Sequence, residues 1–175
     1  MTNTEIELEL TYLARMLPAE LATAAPVKLM DVYIPEALDV HSKLRLRQKG
    51  DAFEATKKVA LREGDASAHT EYTIPLSSLE FDALAAASGK RIVKNRYRVT
   101  IDGYSAEVDV FEGELKGLVL LDFEFASEAE KQRFTAPACC LADVTQEDFI
   151  AGGNLAGRVY DDIRGDLDRF GYQPL

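Results

Sequence analysis

From Glu5 to Leu13 the chain alternates, with Glu5, Glu7, Glu9 and Thr11 on one side and Ile6, Leu8, Leu10 and Tyr12 on the other. Period-two alternation marks a strand with two different faces. The pattern recurs over residues 42–48, 52–60, 68–74, 91–101, 104–111 and 118–125. Asp102-Gly103, between two of these runs, predicts a tight hairpin, and Gly64-Asp65 predicts a turn. Helical signals punctuate the strands. One helix is expected over 77–87, with Ser77 and Ser78 as caps, and one from Ser127, with Glu130 three residues later in a capping-box pattern. A third is expected over 153–169, where Tyr160, Ile163, Leu167 and Phe170 form an apolar stripe that packs on the sheet or on a second subunit. Short turns between successive strands, with no long linker and no repeat, predict one α+β, mostly β domain spanning 1–175, built on an antiparallel sheet or barrel.

The polar faces carry the unusual signal. Lys43, Arg45, Arg47 and Lys49 share one face, as do Lys94, Arg96 and Arg98, whereas Glu107 and Asp109, and Asp122 and Glu124, make acidic pairs. Thr56 pairs with Lys58, and Glu71 with Thr73. Any one such strand reads as the solvated face of an ordinary sheet. Taken together they are sorted by sign, and like charges on one face repel. Sorting makes sense if the strands face one another across a cavity, with the cations holding an anion and the carboxylates holding a metal ion that bridges to it. Magnesium and manganese prefer oxygen ligands, and carboxylates two residues apart on one strand reach a common ion. Arginine forks grip phosphate oxygens in pairs, and lysine acts as a point charge.

Composition narrows the class. The net charge of −10 excludes a general nucleic-acid-binding surface and makes the local basic strands more informative. No apolar run is long enough for a membrane helix, and the acidic start lacks the features of a signal peptide, so a cytoplasmic protein is the expectation. Cys139 and Cys140 are adjacent, lack zinc-site spacing and read as buried apolar residues. His41 and His69 read as surface or strand-edge residues. Neither a P-loop nor a Gly-x-Ser-x-Gly motif is present.

Read in order, these strands resemble the triphosphate tunnel metalloenzymes, the CYTH superfamily. Its Glu-x-Glu-x-Lys signature is matched by Glu7-Leu8-Glu9-Leu10-Thr11, its Arg-x-Arg strand by Arg45-Leu46-Arg47, and its Thr-x-Lys strand by Thr56-Lys57-Lys58. Glu71-Tyr72, Lys94-Asn95-Arg96-Tyr97, Glu107 through Gly113 and Leu120-Leu121-Asp122-Phe123-Glu124 match the later elements, and Asp143-Val144-Thr145 and Asn154-Leu155-Ala156 resemble the closing segment. The resemblance spans nearly the whole chain.

It implies an antiparallel eight-stranded barrel or tunnel with helices packed outside, and hydrolysis or conversion of a triphosphate compound with Mg2+ or Mn2+. Glu7, Glu9 and Glu124, with Asp122 as a further candidate, would hold the metal. Arg45, Arg47, Lys58, Lys94 and Arg96 would bind the triphosphate, and Glu71, Glu107 and Asp109 would be tunnel carboxylates, with simple salt bridging the competing reading for Glu71 and Asp109. The partner is then a small triphosphate-containing molecule, with no nucleic acid and no membrane; a homodimer is an open option that no particular residue argues for. One departure stands out: Thr11 occupies the position of the signature lysine, which in the family resembles a direct contributor to catalysis. Beside hydrolysis, the alternatives are an adenylate cyclase-type conversion of ATP and, because of Thr11, a non-catalytic polyphosphate- or nucleotide-binding module. Gly152-Gly153 also departs from the polar residues that the family often has in its closing segment.

Overall fold

A computed structural model describes residues 3–175. Nine strands form one antiparallel sheet: β1 (Asn3–Ala14), β2 (Val27–Ile34), β3 (Leu44–Lys49), β4 (Ala52–Ala60), β5 (Ala68–Leu76), β6 (Arg91–Ile101), β7 (Tyr104–Phe111), β8 (Val119–Glu124) and β9 (Cys140–Asp143). The order β5-β4-β3-β2-β6-β7-β8-β1 closes when β1 returns to β5, giving an eight-stranded antiparallel barrel. Closure removes the unpaired strand edges that an open sheet exposes. β1 achieves it by changing partners along its length: Asn3–Leu8 pair with β5, and Glu9–Leu13 pair with β8. Where β5 ends, β9 takes over the vacated edge at Tyr12–Ala14.

The predicted strands are present, and the Asp102-Gly103 hairpin has positive φ at both residues (50° and 87°), the backbone that a two-residue turn between twisted strands requires. Two strands were not foreseen, β2 and β9. β2 reads Val-Lys-Leu-Met-Asp-Val-Tyr-Ile, apolar on both faces but for Lys28 and Asp31, so it lacks the charged alternation that exposes the others. Helix α1 (Ser78–Ala85) starts at the predicted Ser77 cap, and α2 (Glu128–Gln132) at Ser127. The single helix expected over 153–169 is instead α3 (Gly152–Leu155) and α4 (Tyr160–Asp168), broken at Gly157, whose φ of 81° no right-handed helix contains.

Inward and outward residues divide the labour. Outside, α1 lays Phe81 and Ala85 on Val32, Leu46 and Ala55, and a second cluster surrounds Val108, Leu121 and Phe123, with the buried free thiols of Cys139 and Cys140. Inside, the wall is charged along its middle, but at one end it turns apolar, with Leu13, Tyr33, Ile92, Phe111 and Leu120. The C-terminal segment packs Ile150, Leu155, Ile163, Leu167 and Tyr172 on that end. The expected stripe on α4 thus finds its partner within this chain.

Gly152 and Gly153 fit that segment to the barrel: a Cβ at the first would collide with Tyr33 Oη, and one at the second with the backbone carbonyl of Ser42. Gly153→Ala is therefore expected to cost about 2 kcal/mol or more, because backbone must move. Gly165→Ala, in open space within α4, is expected to stabilise by about 0.5–1 kcal/mol. Thermal denaturation of the two variants checks both signs.

Candidate functional site

The barrel encloses a cavity of about 990 Å³. Its wall brings together the expected metal, triphosphate and carboxylate positions: Glu7, Glu9 and Thr11 on β1, Arg45 and Arg47 on β3, Lys58 on β4, Glu71 on β5, Lys94 and Arg96 on β6, Glu107 and Asp109 on β7, and Asp122 and Glu124 on β8. The side chain of Glu5, expected on the same face, lies outside the described residues. Sorting by sign along each strand becomes pairing of opposite signs between strands on the basic side. Arg47 stands opposite Asp31 in the β2–β3 register and grips it with two hydrogen bonds, Nε to Oδ1 and Nη2 to Oδ2, each 2.7 Å. Burial opposes ionisation of Asp31, yet the adjacent Arg47 guanidinium outweighs it and brings the carboxyl down to about 2. Arg96 faces Asp109 across β6–β7 and forks onto it at 2.7 and 2.6 Å, while Lys94 donates to the same carboxylate. Burial again opposes the charge on Asp109, and Lys94 and Arg96 again prevail, holding it well below the usual carboxylate range. Glu107 accepts from Arg96 and Arg98. Arg45 differs: its nearest carboxylate oxygen, on Glu71, is 3.5 Å from Nη2, and its buried Nε has no hydrogen-bond partner.

The acidic side breaks the pairing rule. Glu107 stands opposite Asp122, and Glu9 opposite Glu124. Like charges placed directly opposite destabilise a sheet unless something positive lies between them. The strain shows in proton affinity. Burial, then the charges of Asp109 and Glu9, push the Asp122 carboxyl up to about 7, against the pull of Arg96 and of the Thr11 hydroxyl, which donates to Asp122 Oδ1 at 2.7 Å. Burial, with Glu107, Glu7 and Glu9 adding to it, raises Glu124. Burial also raises Glu7, despite Lys58. Glu9 goes the other way: burial would raise it, but Lys58, with His69 and Arg96 adding to it, brings it below its ordinary value. The Lys58 ammonium lies 2.5 Å from Glu7 Oε2 and 3.1 Å from Glu9 Oε1.

The donors suit a hard cation in kind: carboxylate oxygens, two of them on one strand face, with Glu7 Oε2 buried and lacking a hydrogen bond of good geometry. They do not form a closed cage, since among the described residues no three His, Cys, Asp or Glu side chains converge on one point.

Among the residues around the cavity to which the sequence reading gave no part in the site are Asp31, His69 and Thr145. Asp31 lies in the overlooked β2, amid apolar neighbours. His69, expected at the surface or a strand edge, instead lines the cavity, with Nδ1 buried, 3.8 Å from Glu9 Oε1 and without a hydrogen bond. The signal that would have found it is its even spacing with Glu71 on one face of β5. Thr145 accepts from the Thr11 amide at 3.0 Å, filling the gap that β5 and β9 leave along β1. His41, by contrast, is exposed as expected, at the cavity's edge.

No family model matches the chain. Individual proteins do. An inorganic triphosphatase of Nitrosomonas europaea is 34% identical over 143 residues, covering 81% of this chain and 90% of that protein. A crystal structure of an inorganic triphosphatase superposes with a TM-score of 0.63 at 32% identity, over 86% of this chain and 93% of its own. A candidate adenylate cyclase of Bacillus halodurans, 17% identical with a TM-score of 0.54 over 98% of this chain and 93% of its own, shares the fold. With a relative this similar over four-fifths of its length, and with the barrel that its ordered motifs implied, the chain belongs to the CYTH superfamily, the triphosphate tunnel metalloenzymes.

Proposed function

We propose that this chain hydrolyses a triphosphate compound, with inorganic tripolyphosphate as the preferred substrate, inside its barrel and with Mg2+ or Mn2+. The observation that carries the reading is where the unsatisfied polar atoms lie. Among the described residues three buried side-chain atoms lack a hydrogen bond of good geometry: Arg45 Nε, His69 Nδ1 and Glu7 Oε2, the last in ionic contact with Lys58. All three residues line the cavity. Proteins rarely leave such atoms unmatched, and a set of them around one cavity is the complement of a polar ligand. The similarity to an inorganic triphosphatase supports the same substrate class.

The chain's own residues divide the task. Arg45, with its free Nε, and Lys58 offer positive charge to phosphate oxygens, while Arg47, Lys94 and Arg96, held by Asp31, Asp109 and Glu107, form a fixed basic wall that neutralises charge without having to move. Such pre-set electrostatics is the main contribution that a protein makes to phosphoryl transfer. Glu7, Glu9 and Glu124, with Asp122 beside them, would hold the metal ion. When bound, the ion supplies charge neutralisation and lowers the pKa of a coordinated water. Thr11 contributes a hydrogen bond to Asp122 where a lysine would contribute charge. That feature favours a second reading, a triphosphate-binding module with little turnover.

Phosphate release from tripolyphosphate and from ATP separates the readings. Wild type is expected to release phosphate with either metal, and Glu7→Gln/Glu9→Gln to lose about 10²-fold or more of that rate; tight binding of tripolyphosphate without release would instead establish the binding module. Thr11→Lys is expected to raise turnover about tenfold, as the added cation meets developing charge; an unchanged rate would show that the other cations suffice. The two arginines of β3 are expected to part company. Arg45→Met should raise KM for tripolyphosphate with little change in melting temperature. Arg47→Met should lower stability by about 3 kcal/mol, because it strands the Asp31 carboxylate inside the wall.

A further inference from the structure

Lys58 is the one expected triphosphate ligand whose closest partners are themselves expected metal ligands. Its Nζ lies 2.5 Å from Glu7 and 3.1 Å from Glu9, with Glu71 Oε2 at 3.9 Å. The other strongly paired cations of the wall take their counter-charge from Asp31, Asp109 and Glu107, on neighbouring strands. Lys58 thus fills with an ammonium group the place where the reading above puts a metal ion. A metal dication and an ammonium do not share two carboxylates at such distances without strong repulsion. One has to leave, and lysine, a point charge on a flexible four-carbon stem, is suited to swing.

The carboxylates are also an incomplete cage, since no three convergent ligands are found among the described residues. Magnesium-type ions are commonly held in this way, by one or two carboxylates plus oxygens of the substrate phosphates. A triphosphate entering the basic wall supplies both missing elements: oxygens for the ion, and a new anionic partner for Lys58.

Resting on the hydrolase reading, we propose that Lys58 is a built-in counter-cation of the Glu7–Glu9 pair that passes to the triphosphate when the metal arrives, so that metal and triphosphate bind interdependently. With its substrate absent the protein then has little hold on free metal. Linkage is reciprocal: metal favours the triphosphate by the same factor.

Calorimetric titration with Mn2+ alone tests the exchange. Wild type and Lys58→Arg, both keeping the resident charge, are expected to bind weakly; Lys58→Met and Lys58→Gln, which free the two glutamates, are expected to bind about tenfold more tightly or better. Neutral variants that bind Mn2+ no more tightly than wild type would overturn the proposal. Should both neutral variants fail to fold, the 13Cε resonance of Lys58 in wild type, assigned through Lys58→Arg, serves instead: a large shift on adding Mg2+ together with tripolyphosphate supports the exchange, and an unmoved resonance overturns it. The two readings fail separately. A wild type that releases phosphate while the neutral variants gain no metal affinity sinks only the role of Lys58; a wild type that neither hydrolyses nor binds tripolyphosphate sinks the hydrolase reading beneath it.

Discussion

A charge placed inside a barrel has to be answered by another charge, and the antiparallel register decides which. Asp31 opposite Arg47 and Asp109 opposite Arg96 turn what would be costly buried ions into satisfied pairs. The basic wall is rigid for that reason. Further round the barrel the register sets Glu9 against Glu124 and Glu107 against Asp122; Arg96 and Arg98 of β6 answer Glu107, but Glu9, Glu124 and Asp122 have no cation directly opposite them. The asymmetry between the two walls, one balanced and one not, is the physical basis of the site: the balanced wall presents a fixed positive field, and the unbalanced wall retains an appetite for cations. Lys58 meets that appetite in part, reaching from β4 to the carboxylates of β1.

Much of this was legible in the chain, because the alternation that builds a strand is the same alternation that sorts its chemistry. Glu7 and Glu9 opposite Leu8 and Leu10, or Arg45 and Arg47 opposite Leu44 and Leu46, declare both a strand and the side that carries charge. What one strand does not declare is its neighbour. Sorting by sign read as repulsion along each strand, and only the pairing of β3 with β2, or of β6 with β7, shows where it is relieved. β2 itself stayed hidden because α1 covers its outer face with Phe81 and Ala85, so it needs no polar residues there. His69 is hard to place from sequence for a related reason: histidine carries no fixed sign, so its even spacing with Glu71 does not mark it as part of a charged face. The C-terminal helix is shorter than its pattern predicts because Gly157, with its positive φ, divides the segment, and such a glycine leaves little trace in a hydrophobic pattern.

The inner wall is polar along its middle, where chemistry is proposed. Towards one end it gives way to Tyr33, Ile92, Phe111 and Leu120, and the C-terminal segment completes that end as an ordinary hydrophobic core. The barrel thereby separates two demands that conflict in most small domains, stability from apolar burial and an interior full of charge, by assigning them to different lengths of the same strands.

β1 has a further consequence. It contributes Glu7 and Glu9 to the cavity and, from the intervening positions, Leu8, Leu10 and Tyr12 to the apolar layer around Phe123 and Phe134. Because side chains change faces at every step, the loss or gain of one residue within this strand would exchange the two sets, aiming leucines at the cavity and carboxylates at the aromatic layer. In β1, therefore, parity is inherited along with identity: point substitutions can be tried one at a time, but the number of residues between Glu7 and the end of the strand at Ala14 is not free to drift.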